Sequence, residues 1–98
     1  MIYKTPKKVN AETYQQIESD MKKILETGED IYLDFSETEY ISSFGIRVLL
    51  MGMKTFRNKN FDFAVINPNP LVKEILEKTG LESILIQNDI EKYKQRGK

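Results

Sequence analysis

The stretch Ile31-Tyr-Leu-Asp-Phe-Ser-Glu-Thr-Glu-Tyr-Ile-Ser-Ser-Phe-Gly-Ile-Arg-Val-Leu-Leu50 decides how this chain folds. Ile31, Leu33 and Phe35 alternate with Tyr32 and Asp34, so residues 30–35 read as a strand. An acidic turn follows, and Ser42, Ser43 and Gly45 then lead into a helix over residues 43–58. Hydroxyls at the mouth of a helix face its unpaired N–H groups and the positive end of its dipole. Such a place caps the helix, binds an anion, or stabilises a phosphate carried by the serine itself.

The same pattern extends outward. Asn10 can cap a first helix over roughly residues 11–27, whose apolar positions Tyr14, Ile17, Met21, Ile24 and Leu25 step by three and four, with Gly28 at its exit. Phe61 to Ile66 read as a second strand. Asn69 and Pro70 start a third helix that ends at Thr79 with Gly80 and Leu81 behind it. Residues 84–86 read as a short strand. Asn88 or Asp89 caps a last helix through Ile90 and Tyr93, and the first ten residues have room for about one strand, Met1–Lys4. Alternating helices and strands imply an α/β fold with a mainly parallel sheet of four to five strands, flanked by about four helices.

Composition narrows the chemistry. Ninety-eight residues with 40% apolar content suit one domain over residues 1–98. Lys plus Arg (15) balances Asp plus Glu (15), which argues against nucleic-acid or membrane binding through bulk charge. No run approaches the length of a membrane span, and the N-terminus lacks the apolar core of a signal peptide, so a cytoplasmic protein is expected. The chain has no Cys and no His. Thiol nucleophiles, the usual neutral-pH base and the commonest zinc ligands are therefore missing. No glycine-rich phosphate loop is present either. No catalytic residue, metal site or cofactor is expected. Glu29, Asp30, Glu37 and Glu39 read as a solvated acidic turn; Asp34, at the end of its strand, is placed to hydrogen-bond the Ser-Ser loop or to touch a partner.

Ser42 can cap the second helix and leave Ser43 presented outward. On a helical wheel, Ile46, Leu49, Leu50, Met53 and Phe56 share the side that packs on the sheet, while Phe44, Val48, Met51 and Thr55 fall opposite. That second stripe is either a contact with a neighbouring helix or a docking face, with Arg47 and Lys54 flanking it to meet acidic partner groups.

The segment 34–50 resembles the signature of STAS domains, the fold of bacterial anti-sigma factor antagonists, which runs approximately Asp-Leu-Ser-x-x-x-x-Ile-Asp-Ser-Ser-Gly-Leu-x-x-Leu. Residues 65–81, where a strand leads through Asn67-Pro-Asn-Pro70 to a helix ending Thr79-Gly-Leu81, are similar as well. The resemblance implies a non-catalytic phospho-switch in which the phosphorylated serine falls on Ser43. The unphosphorylated form would bind an anti-sigma factor that is also a serine kinase of the histidine-kinase-like ATPase fold, freeing a sigma factor, and a PP2C-type phosphatase would reset the switch. Asp34, Ser42, Phe44, Arg47, Val48 and Met51 then become the expected partner-binding residues. Ser42 stands where the family has aspartate, and Phe44 where it has a second serine. The N-terminal strand pair is expected to be shortened, which leaves a sheet edge that a second copy could cover in a homodimer. A constitutive scaffold module of a sensing or transport assembly is the other reading of the same surface.

Overall fold

A parallel strand buried on both faces needs apolar residues at nearly every position, and the chain supplies them at Ile31–Asp34 (β3) and Phe63–Ile66 (β5). These two strands pair in parallel at the centre of a sheet in the computed structural model, which describes residues 1–86. Ile2–Lys4 (β1) lies beside β3 and Leu85–Ile86 (β6) beside β5, giving the order β1-β3-β5-β6 with every pair parallel. The helix expected beyond Asn88 lies outside the described residues.

Helices Tyr14–Glu26 (α1), Ser43–Asn58 (α2) and Pro70–Lys78 (α3) supply the crossovers. Ile17, Met21 and Ile24 of α1 face the core at helical spacing, joined by Leu49 and Phe56 of α2 and by Val72 and Leu76 of α3. Asn69 caps α3 as the sequence indicates: its Oδ1 accepts from the Val72 N–H at 2.7 Å. Gly80, at φ 81°, reverses the chain beyond α3, and the Leu81 N–H closes onto the Leu76 carbonyl at 2.9 Å. Leu81 is fully buried as the apolar partner of that turn.

Three features differ from the sequence reading. The regular part of α1 starts at Tyr14 rather than residue 11, because Asn10 caps a separate turn: its Oδ1 accepts from the Glu12 N–H, and its own N–H donates to Thr13 Oγ1. Two strands precede Asn10 where about one was expected. The second, Lys8–Val9 (β2), pairs in parallel with Tyr40–Ile41 (β4) in a small sheet of its own. That sheet lies directly ahead of α2. The last strand is also one residue shorter than expected, because Ile84 closes a 3-10 turn over Glu82–Ile84.

Candidate functional site at the mouth of the second helix

The small sheet aims α2. Ile41 is 1% exposed and lies against Val9, also 1% exposed, so β4 is pinned to β2 by apolar contact as well as by its ladder. The Ser42 N–H then donates to the Val9 carbonyl at 2.8 Å. Gly45 packs into this corner so closely that a Cβ would lie 2.6 Å from both Ile41 Cγ1 and Val9 Cγ1. Only glycine fits, and the first turn of α2 is thereby pressed onto β2.

Ser42 occupies the N-cap position with extended backbone, and its carbonyl accepts the Ile46 N–H at 2.9 Å. Its side chain does not cap. Ser42 Oγ is buried and has no hydrogen-bond partner among the described residues, which corrects the expectation of a side-chain cap there. Ser43 is the first helical residue and is exposed. No acidic residue occupies the first turn of α2, so nothing on the helix itself opposes a negative charge at Ser43.

The expected docking stripe divides. Phe44 is 41% and Met51 51% exposed, whereas Val48 is 2% exposed and belongs to the core. The expectation that Val48 shares the open side is therefore corrected. Val48 lies about 60° round the helix from Met51, on the side where α1 packs. Phe44 also meets α1, its ring centroid 5.3 Å from that of Tyr14. Below this aromatic contact a groove of about 530 Å³ runs between α1 and α2, lined by Gln15, Lys22, Leu25, Val48 and Met51 among others. Arg47 is exposed and forms no ion pair among the described residues.

Asp34 is not joined to the Ser-Ser loop. Its Oδ1 accepts from the Ser36 N–H at 2.9 Å and from Asn67 Nδ2 at 3.3 Å. Burial raises its pKa, but the hydrogen bonds from Ser36 and Asn67, with the charge of Lys4, outweigh burial and leave the carboxyl below its ordinary value. The acidic residues do not gather. Asp30, at the far end of β3, accepts from the Asp62 N–H at 2.7 Å, while Glu37 pairs with Lys4 at 3.5 Å. Among the described residues no group of acidic side chains is placed to hold a metal ion.

Sequence reasoning missed the residues that hold the β3–β4 loop. Thr5 and Thr38 are each 2% exposed and share a hydroxyl–hydroxyl hydrogen bond. Thr38 Oγ1 also donates to the Pro6 carbonyl at 2.8 Å, and Asn69 Nδ2 donates to the Thr38 carbonyl at 3.1 Å. Asn69 thus caps α3 and ties it to the loop that delivers Ser42. Only the polar pair Thr5 and Thr38, in otherwise strand-like or turn-like surroundings, hints at this in the sequence.

Known proteins share this fold. The model of the STAS domain family matches residues 1–93. A Bordetella bronchiseptica protein named "Putative anti-sigma factor antagonist BtrV" is 32% identical over 77 residues, which is 78% of this chain; the chain spans 66% of that relative, just under two thirds of its length. Among solved structures, the anti-sigma factor antagonist SpoIIAA in its unphosphorylated form superposes with a TM-score of 0.82 at 18% identity, covering 97% of this chain and 84% of that one. The protein TM1081, solved by NMR, gives 0.84 at 26% identity, covering 98% and 79%. The fold expected from the sequence, a STAS-like parallel sheet with flanking helices, is the one observed.

Proposed function

We propose that this chain, which belongs to the STAS domain family, acts as an anti-sigma factor antagonist switched at Ser43. Anti-sigma factor antagonists of this family are non-catalytic regulators. The observation that carries this reading is the setting of Ser43. Its hydroxyl stands exposed at the first position of α2, and Gly45 locks that turn against β2. A phosphate there would add about −1.5 to −2 charges, favoured by the helix dipole. It would change the surface without disturbing the core.

In the unphosphorylated form, Phe44, Arg47 and Met51 offer an apolar patch with a cation beside it. An anti-sigma factor of the histidine-kinase-like ATPase fold is the partner we assign to that patch, and its capture frees a sigma factor. Ser42, Val48 and Asp34 contribute by shaping the mouth: Val48 backs Met51 from the core, and Asp34 fixes the loop ahead of β4. Phosphorylation of Ser43 by the same partner would end the capture, and a PP2C-type phosphatase would restore it. These partners place the protein in a bacterial cytoplasm; among the described residues no helix is long and apolar enough to cross a membrane. The test is phosphosite mapping after incubation with the cognate anti-sigma kinase and ATP. Label on Ser43, lost in Ser43→Ala, supports the assignment; label on Ser42 or elsewhere overturns it.

One observation favours a second reading, a constitutive interaction module. Phe44 replaces the family's second serine and rests on Tyr14, extending the apolar patch in a way that needs no phosphate. Under that reading the affinity for the partner is the same with and without phosphate on Ser43.

A further inference from the structure

The first turns of α2 hold an exposed serine and, one turn on, an exposed arginine without an ion-pair partner among the described residues. Positions four apart on a helix lie on one stripe, with Cβ atoms about 5–6 Å from each other. A guanidinium at the fourth position reaches back over the turn, since helical side chains lean toward the N-terminus. We propose that Arg47 reads the phosphate on Ser43 in cis, clasping it with charge-assisted hydrogen bonds and so withdrawing itself from the partner surface. This inference rests on the phospho-switch reading above and supplies its regulation.

The chemistry is balanced in ordinary kinase terms. Ser43 Oγ loses its proton to the kinase and bonds to the γ-phosphorus of ATP, as the bond from that phosphorus to the bridging oxygen of ADP breaks. The new dianion then sits at the helix N-terminus with Arg47 one turn below it. Arg47 suits the task because its planar fork can engage two phosphate oxygens at once. Lys54, the next basic residue along α2, is eleven positions from Ser43, about 16 Å along the axis, and is too far to compete.

Two of the acids that could compete for Arg47 are engaged elsewhere. Asp34 is already occupied by Ser36 and Asn67, and Glu37 by Lys4. The remaining charged residues on segments that meet this end of α2 are Lys7 and Lys8 around β2, Glu12 ahead of α1, Glu18 and Lys22 of α1 across the groove from Val48 and Met51, and Glu39 before β4. The consequence is a double change at the partner surface. Phosphorylation adds a negative group and withdraws a cation that lies within about one helical turn of both Phe44 and Met51. A partner acid that pairs with Arg47 in the free state meets both a repulsive phosphate and a cation already engaged.

The experiment installs phosphoserine at position 43 of the full chain during translation, so it needs no kinase. Native chain, Arg47→Gln and Arg47→Lys are compared, each with serine and with phosphoserine. In the native chain, phosphoserine raises the melting midpoint by about 4 °C or more beyond its effect in Arg47→Gln. The second ionisation of the phosphate, followed by phosphorus NMR, lies below the usual value near pH 6 in the native chain and returns toward it in Arg47→Gln. Arg47→Lys keeps part of both effects, because a lysine offers charge without the fork. Equal phosphoserine-induced midpoint shifts and equal ionisation in native chain and Arg47→Gln overturn the inference, as does transfer of both effects to Lys8→Gln. Failure of a kinase to label Ser43 would count against the function, not against this clasp, which is read on phosphate already in place.

Discussion

Gly45 and Val9 touch so closely that a single added carbon on Gly45 would lie 2.6 Å from Val9 Cγ1 and 2.8 Å from the Val9 carbonyl oxygen. A residue on the second strand thus fixes how α2 begins, and with it where Ser43 points. Alanine normally stabilises a helix over glycine by about 1 kcal/mol. Here the contact includes backbone, which cannot rotate away. Gly45→Ala is expected to destabilise the protein by about 1–3 kcal/mol, the range for overpacking, as measured by denaturant unfolding. A variant as stable as the native chain would show that the corner is looser than described.

Asn69 joins α3 to the loop that delivers Ser42. Its Oδ1 caps Val72, and its Nδ2 donates to the Thr38 carbonyl. Asn69→Ala removes both contacts and is expected to cost about 1–3 kcal/mol. Asn69→Asp keeps the cap but loses the donor, so its cost falls between. If Asn69→Asp matches the native chain in urea, the link to Thr38 contributes nothing.

Asp34 gives the stability an acid dependence with a definite sign. Its folded pKa is lowered, so its contribution is complete above the unfolded value, near 3.9, and is lost as pH falls through the lower folded value. Asp34→Asn removes that dependence: the variant loses less stability than the native chain between about pH 4 and the acid limit of folding. Parallel stability curves for the two proteins over that range would refute the assignment.

The sequence and the structure agree best where a local device sets the outcome. The helix over residues 43–58 appears with those bounds, and Asn69, Pro70, Gly80 and Leu81 act as their types suggest. Agreement fails where the determinant is distant. Strands β2 and β4 have two residues each, too short for any periodicity, and exist because they pair with each other. Val48 reads as outward on an isolated wheel, yet α1 covers it. Gly52 gave no signal, although its Cβ would lie 2.7 Å from Phe63 Cε2 and 2.8 Å from Met21 Sδ. Asp34 reads in the sequence as a hydrogen-bonding partner of the serine turn or as a partner contact, whereas Asn67, in the left-handed region at φ 56°, brings it a donor from the end of β5.

The exposed and buried members of the stripe on α2 should part company under mutation. Met51→Glu places a charge on a side chain that is already half in water and is expected to change stability by no more than about 0.5 kcal/mol, while weakening partner binding. Val48→Asp places one in the core and should unfold the chain, seen as loss of the helical signal by circular dichroism. A folded Met51→Glu that binds its partner with native affinity removes the docking face from the account.

If the surface around Ser43 is switched by phosphate, affinity for the partner depends on that phosphate. The direct measurement is the dissociation constant for the cognate anti-sigma factor, taken by titration calorimetry with the native chain and with the chain carrying phosphoserine at position 43. A phosphate switch gives tight binding of the native chain and at least about tenfold weaker binding of the phosphorylated one, a difference of about 1.4 kcal/mol. Equal dissociation constants would defeat the switch and leave Phe44 and Met51 as parts of a surface that is always open.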